Sequence, residues 1–265
     1  MPPQLLDRLD SLYERYNRPC YISPDPLEFV VPYEDPADRE VVGLVASSLA
    51  FGNVRQIGRS IGAVLDALPS PHRDVMSGTR RTLSNRFAGF RHRYVTDVEL
   101  VDVLVGARRV LKRHGSFGAV VNAATPDDAA SITPGLQALV DALREGSPLE
   151  RNYLLPSPAR GSACKRWHLY LRWMVRDDAV DPGGWPARLQ QKLMVPLDTH
   201  MHRIAGRLRL TKRKQAGIRT AMEITAAFAR LRPEDPVRYD FALTRLGIRT
   251  DTDLEAFLRE CRVAA

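Results

Sequence analysis

Cysteine is nearly absent from this chain, which has only Cys20, Cys164 and Cys261. They lie far apart and form no C-x-x-C pair. This excludes a zinc or four-cysteine iron–sulfur site built from cysteine alone and leaves three reduced thiols. His200 and His202 stand at i, i+2 and share no helical face, so they make no metal pair either, and neither metal nor cofactor is expected. Long apolar runs are missing too: none approaches the roughly 18–20 residues of a membrane helix, so no membrane partner is expected. Met1 to Asp10 is polar and acidic rather than signal-like, which predicts a cytoplasmic location. Strand-type alternation, internal repeats and low-complexity tracts are also lacking, and helix is what remains.

The helical signal is direct. Ile57, Ile61, Val64, Leu65 and Leu68 fall on one helical face and stop before Pro69-Ser70-Pro71. The spacing repeats at Leu100, Val103, Leu104, Ala107, Val110 and Leu111, at Leu136, Leu139, Val140 and Leu143, and at Ala221, Ile224, Thr225 and Phe228. Thr252-x-x-Glu255 reads as a capping box before Leu254, Phe257 and Leu258. From Trp167 to Val175 the residues are apolar on most faces, which predicts a helix buried among others. With 265 residues, 44% of them hydrophobic, the chain is long enough for a substantial core. The expected fold is all-α: a single unit of two helical lobes, roughly 38–150 and 151–265, with a central cleft.

Charge is unevenly placed. Residues 160–214 hold 13 Lys or Arg against 4 Asp, a net +9 in a chain whose total is +8, so the remainder sums to −1. Positive charge gathered into one stretch points to a polyanion, with a merely basic surface as the alternative.

Two segments there carry candidate chemistry. Gly161-Ser162-Ala163-Cys164-Lys165 is a small-residue turn that delivers a lysine to the start of the buried helix. Apolar surroundings and the positive end of a helix dipole both favour a neutral, nucleophilic amine; the alternative is a lysine that snorkels over the helix end. Pro196-Leu197-Asp198-Thr199-His200 precedes Ile204, Ala205 and Leu208 at helical spacing. Asp198 there reads as an N-cap, and a capping carboxylate facing a cleft can also stabilise positive charge on a sugar or deprotonate a nucleophile. Lys212-Arg213-Lys214 is either a solvated loop or a phosphate contact.

A lysine-terminated turn followed by P-L-D-T-H resembles the helix-hairpin-helix DNA glycosylase superfamily, in which such a turn precedes a V-D-T-H or V-D-V-H segment. The likeness is firm over residues 156–210 and thinner elsewhere. Gly161 to Arg166, Leu171 to Arg176 and Pro196 to His200 are also similar to an uncharacterised bacterial family. Upstream, Ser47 to Ile57 and Phe90 to Val95 are similar to stretches of 8-oxoguanine DNA glycosylases.

The resemblance implies a base-excision enzyme acting on double-stranded DNA with a damaged base, foremost an oxidised purine, and carrying lyase activity. It implies that Lys165 attacks the anomeric carbon, that Asp198 supports base loss, and that Asn53 and Gln56 fill the gap and meet the orphaned base. Trp185 is the preferred residue to stack on the extruded base, and Phe241 is either a pocket wall or core. Arg166, Lys212, Arg213 and Lys214 are further DNA-contact candidates. Two departures stand out. Lys165 and Asp198 are 33 positions apart, more than a dozen further than in that superfamily, which places an insertion with Asp181-Pro182-Gly183-Gly184-Trp185 beside the expected pocket. Gly161-Ser162-Ala163 also replaces the G-V-G hairpin. The alternative function is a non-catalytic helical protein that binds DNA or RNA.

Overall fold

A computed structural model describes residues 3–248 and 253–263. The chain is predominantly helical, as its periodicity predicts. Helices α1 (Pro3–Tyr16), α2 (Pro36–Ser48), α3 (Val54–Asp66), α4 (Pro71–Ser77) and α5 (Arg80–Arg86) precede a two-stranded hairpin of β1 (Arg91–His92) and β2 (Val95–Thr96). Helices α6 (Asp97–His114), α7 (Phe117–Ala123) and α8 (Thr133–Arg144) follow, and then α9 (Lys165–Val175), α10 (Thr199–Arg207), α11 (Ile218–Ala229), α12 (Asp240–Ile248) and α13 (Leu254–Val263).

Local chemistry sets many of the boundaries. Asp35 caps α2, with Pro36 in its first turn, and Asn53 caps α3 by accepting the Arg55 N–H at 3.0 Å. A reciprocal Thr96–Glu99 box opens α6, and Gly115, at φ 80°, ends it. Leu68 falls just beyond α3. Thr252 of the expected capping box lies outside the described residues; at the start of α13 the Asp253 carboxylate accepts the Ala256 N–H at 2.8 Å. The hairpin departs from the strand-free expectation, because two paired residues per strand (Arg91 with Thr96, His92 with Val95) are too few to print an alternation. Buried His92 anchors it through Ser60 Oγ at 2.9 Å and the Phe51 carbonyl at 3.0 Å.

Helix α9 is the spine. It packs along α2, while α6 gathers α4, α5, α7 and α8, and α1 packs on α12 and α13. Gly43 permits the α2–α9 approach: a Cβ there would come within 2.9 Å of the Tyr170 ring. Trp167, Tyr170, Leu171 and Trp173 are buried along α9, each such side chain contributing about 1.5–3 kcal/mol or more by leaving water.

His168, on the same helix, is buried, and its Nδ1 has no hydrogen-bond partner among the described residues. Burial pushes its pKa down to about 4 from an ordinary 6.5. Between those values the unfolded chain binds a proton that the folded chain does not. The resulting stability is complete above about pH 6.5 and is lost as pH falls through about 4, a change of roughly 3 kcal/mol. His168→Leu should therefore lose less stability than the parent between about pH 7 and about pH 4.5 in urea unfolding. Parallel losses in the two proteins would contradict the linkage.

Candidate active site

The approach to α9 is a turn that few residue types can make. Gly161 and Cys164 both adopt left-handed backbone, at φ 76° and 45°, and the Ser162 hydroxyl accepts the Cys164 N–H at 3.2 Å. A left-handed Cys costs about 1–2 kcal/mol, held here because the thiol is buried and the Trp167 indole donates to the Pro156 carbonyl at 2.9 Å. Burial also raises the Cys164 pKa, which makes it a packing residue rather than a nucleophile. The element entering this turn is a three-residue 3-10 helix, Pro158–Arg160, rather than a full helix. The prolines at 156 and 158 remove the amide donors that a longer one would need.

Lys165 is the first residue of α9. Its ammonium lies 3.2 Å from Asp198 Oδ2, with the two side chains 37% and 19% exposed. The lysine is thus half open and carboxylate-paired, where the sequence led us to expect apolar surroundings. Asp198 does cap α10: Oδ1 accepts the Met201 N–H at 2.8 Å while Oδ2 faces the lysine. The preceding segment is tied down by the Val195 N–H, which donates to Thr225 Oγ1 on α11 at 3.0 Å.

Both groups open onto one cavity of about 100 Å³, walled also by Ala50, Ile57, Leu169 and Phe241. That is below the ~300–1,000 Å³ of usual ligand sites, so it admits only a small group unless rim side chains swing aside. Phe241 is a wall whose ring carries the Arg245 and Arg172 guanidinium carbons 4.8 and 5.7 Å from its centroid.

The floor is ionic. Buried Arg172 bridges Asp240 and Asp181, Arg176 bridges Asp181, Asp178 and Asp235, and Arg245 holds Asp25 at 2.6 Å. Two of the basic residues that suggested a surface footprint, Arg172 and Arg176, are therefore internal, at 2% and 3% exposure. Burial pushes the Asp240 pKa up to about 6; Arg172 opposes this, while Asp198 and Asp181 add to it. Asp240 is a cavity residue that the sequence reading missed. Its signal was present: a lone acid before Phe241-Ala242-Leu243, matched by a lone Arg172 in the apolar run from Trp167 to Val175.

The other expected residues divide. Asn53 is exposed and its side chain caps α3, and Gln56 is half-buried one turn on; neither lines the cavity. Arg166 points away from it, donating to the Ser48 and Tyr153 carbonyls with its guanidinium 4.8 Å from the Phe51 ring centroid. Lys212, Arg213 and Lys214 are exposed after α10, with Arg213 paired to Glu223 at 2.8 Å.

Trp185 is not at this cavity. It is 8% exposed, its indole donates to Glu40 Oε1 at 2.6 Å, and its amide donates to the Met174 carbonyl at 2.8 Å. These bonds fix the inserted segment at the far end of α9, about 15 Å along the helix from Lys165. A larger cavity of about 570 Å³ lies there, lined by Arg39, Glu40 and Trp185 among others. Its polar groups are already engaged, Glu40 by the Phe117 and Gly118 amides, Arg39 by the Tyr33 and Pro182 carbonyls, and Asp35 and Ser116 as the caps of α2 and α7. Among the described residues no group of three or more His, Cys, Asp or Glu is placed to hold a metal.

Compared with family models, residues 25–249 match a family described as a protein of unknown function, DUF2400. The chain belongs to this family. The DUF2400 match takes in every residue that lines the Lys165 cavity, from Asp25 to Arg245. No curated protein and no solved structure matches the chain.

Proposed function

We propose that this DUF2400 protein is a DNA N-glycosylase with lyase activity. The observation that carries the reading is the Lys165–Asp198 pair: an amine and a carboxylate, 33 positions apart in the chain, 3.2 Å apart at the mouth of one cavity. For the attack the Lys165 ammonium gives up a proton, which Asp198 relays to solvent, so that the lone pair is free and the carboxylate is again charged. Lys165 Nζ then bonds to the anomeric carbon of the target nucleotide. The glycosidic C–N bond breaks, its electron pair leaves with the base, and the base collects a proton there or from solvent. Asp198 stabilises the positive charge that builds on the sugar as this happens. Nζ then sheds a proton, the C1′–O4′ bond breaks with O4′ taking a proton up, and a protonated imine forms on Lys165; loss of a C2′ proton and departure of the 3′-phosphate complete the strand break. An oxidised purine is the first substrate to test, on the resemblance noted above.

Lesion-bearing duplexes incubated with borohydride should yield a covalent protein–DNA adduct, accompanied by free base and nicked strand. Lys165→Ala should lose the adduct entirely, while Lys212→Ala, on the exposed loop, keeps it. An adduct that persists in Lys165→Ala removes this lysine from the chemistry. Base release without nicking or adduct would leave Asp198 activating water, with Lys165 only positioning phosphate.

A further inference from the structure

Beside the cavity lies a second face that the glycosylase chemistry does not use. Tyr94 and Tyr153 are each 56% exposed in a protein whose other large aromatic side chains are mostly inside. Their rings meet edge to face at 5.0 Å, and Tyr94 stands 5.5 Å from Phe51. Tyr94 sits in the two-residue loop of the hairpin after Arg93, whose φ of 56° is a conformation that glycine adopts freely and arginine does not. The loop thus projects an arginine and a tyrosine where glycine would be the relaxed choice at the first position.

Against the two tyrosines lies a cavity of about 270 Å³, lined by Arg144, Arg151, Arg160 and Arg166 and by no carboxylate. Among the described residues no acid pairs with Arg151 or Arg160, both of which are exposed. Exposed aromatic faces beside unmatched guanidinium groups suit a flat base attached to a phosphate. The face also adjoins the Lys165 cavity. On α9, Lys165 turns to the cavity and Arg166 to this face; in the turn after α2, Ala50 lines the cavity and Phe51 joins the aromatic group.

We propose that this face binds single-stranded DNA, Tyr94 and Tyr153 stacking on an unpaired base while Arg151 and Arg160 meet the flanking phosphates. The proposal rests on the glycosylase reading only for the choice of DNA as the polymer. The test is fluorescence anisotropy with a labelled oligothymidylate of about 12 nucleotides, a length within the usual single-strand site sizes. Tyr94→Ala and Tyr153→Ala should each weaken binding about tenfold, with Tyr→Phe restoring it. The combined Arg151→Gln and Arg160→Gln change should flatten the logarithmic salt slope by about 1.4. Lys165→Ala should bind as the parent does, which separates this site from the chemistry. The proposal is overturned if the oligonucleotide does not bind, or if the double tyrosine-to-alanine protein, with unchanged circular dichroism and melting, binds like the parent. A borohydride adduct without single-strand binding sinks this site and spares the glycosylase reading; single-strand binding without an adduct does the reverse.

Discussion

Asp198→Asn should slow base release by about 10²–10⁴-fold while leaving the fold intact. The two oxygens of this carboxylate have separate tasks, one capping α10 at Met201 and the other facing Lys165 at 3.2 Å. Asparagine caps a helix about as well as aspartate, so the first task survives substitution. The second needs a negative charge and a proton acceptor, and an amide is neither. Losing a pair that is 37% and 19% exposed removes little stability, within the ~0–1 kcal/mol usual for such contacts. Asp198→Ala should match the slower rate and in addition lose about 1 kcal/mol through the missing cap. Single-turnover base release and thermal melting on the three proteins separate the roles. An Asn variant with near-parental rates reduces Asp198 to a cap.

That pair was the most legible part of the candidate site, because both members stand at helix starts, where local signals are strong: a small-residue turn before Lys165 and a Pro-Leu-Asp-Thr string at Asp198. Helix positions were legible for a related reason, since an apolar stripe such as Leu100 to Leu111 reports its own burial without naming its partner. What failed needed that partner. Trp185 looked like a free aromatic on an insertion, yet Glu40, 145 residues earlier, claims its indole. Arg172 and Arg176 counted toward a surface field because charge was summed along the chain. Their acids, Asp181, Asp235 and Asp240, arrive from the next loop and from the approach to α12. Asp178 and Asp181, from the same stretch, fold inward with the two arginines, so outside this network residues 160–214 keep 11 basic residues against 2 Asp, still a net +9. The sum along the chain hides the pairing, because Asp235 and Asp240 come from outside that stretch.

The inward charges should prove the most sensitive point of the fold. Arg172→Met is expected to destabilise the protein by about 3–5 kcal/mol, read as a shift in urea midpoint without a change in slope. Methionine fills much of the same space, so lost packing is a minor contribution. The larger one is the carboxylates left behind: Asp240 contacts Arg172, Asp181 keeps only Arg176, and both acids are almost fully buried. Burial already drives the Asp240 pKa to about 6 with the arginine present. Without its cation the acid must be carried neutral or not buried at all, and the start of α12 loosens with it. Asp240→Leu in the same background removes one stranded group, and replacing a buried ion pair by apolar side chains is often neutral. The double variant should therefore recover much of the loss, with a coupling of about 1–3 kcal/mol in the mutant cycle. It should be inactive nonetheless, since the cavity beneath Lys165 and Asp198 would have lost the Arg172–Asp240 pair and kept only Arg245 with Asp25. A double variant no more stable than Arg172→Met alone would place the cost in Asp181 or in packing along α9, and would remove Asp240 from the account of what holds the cavity together.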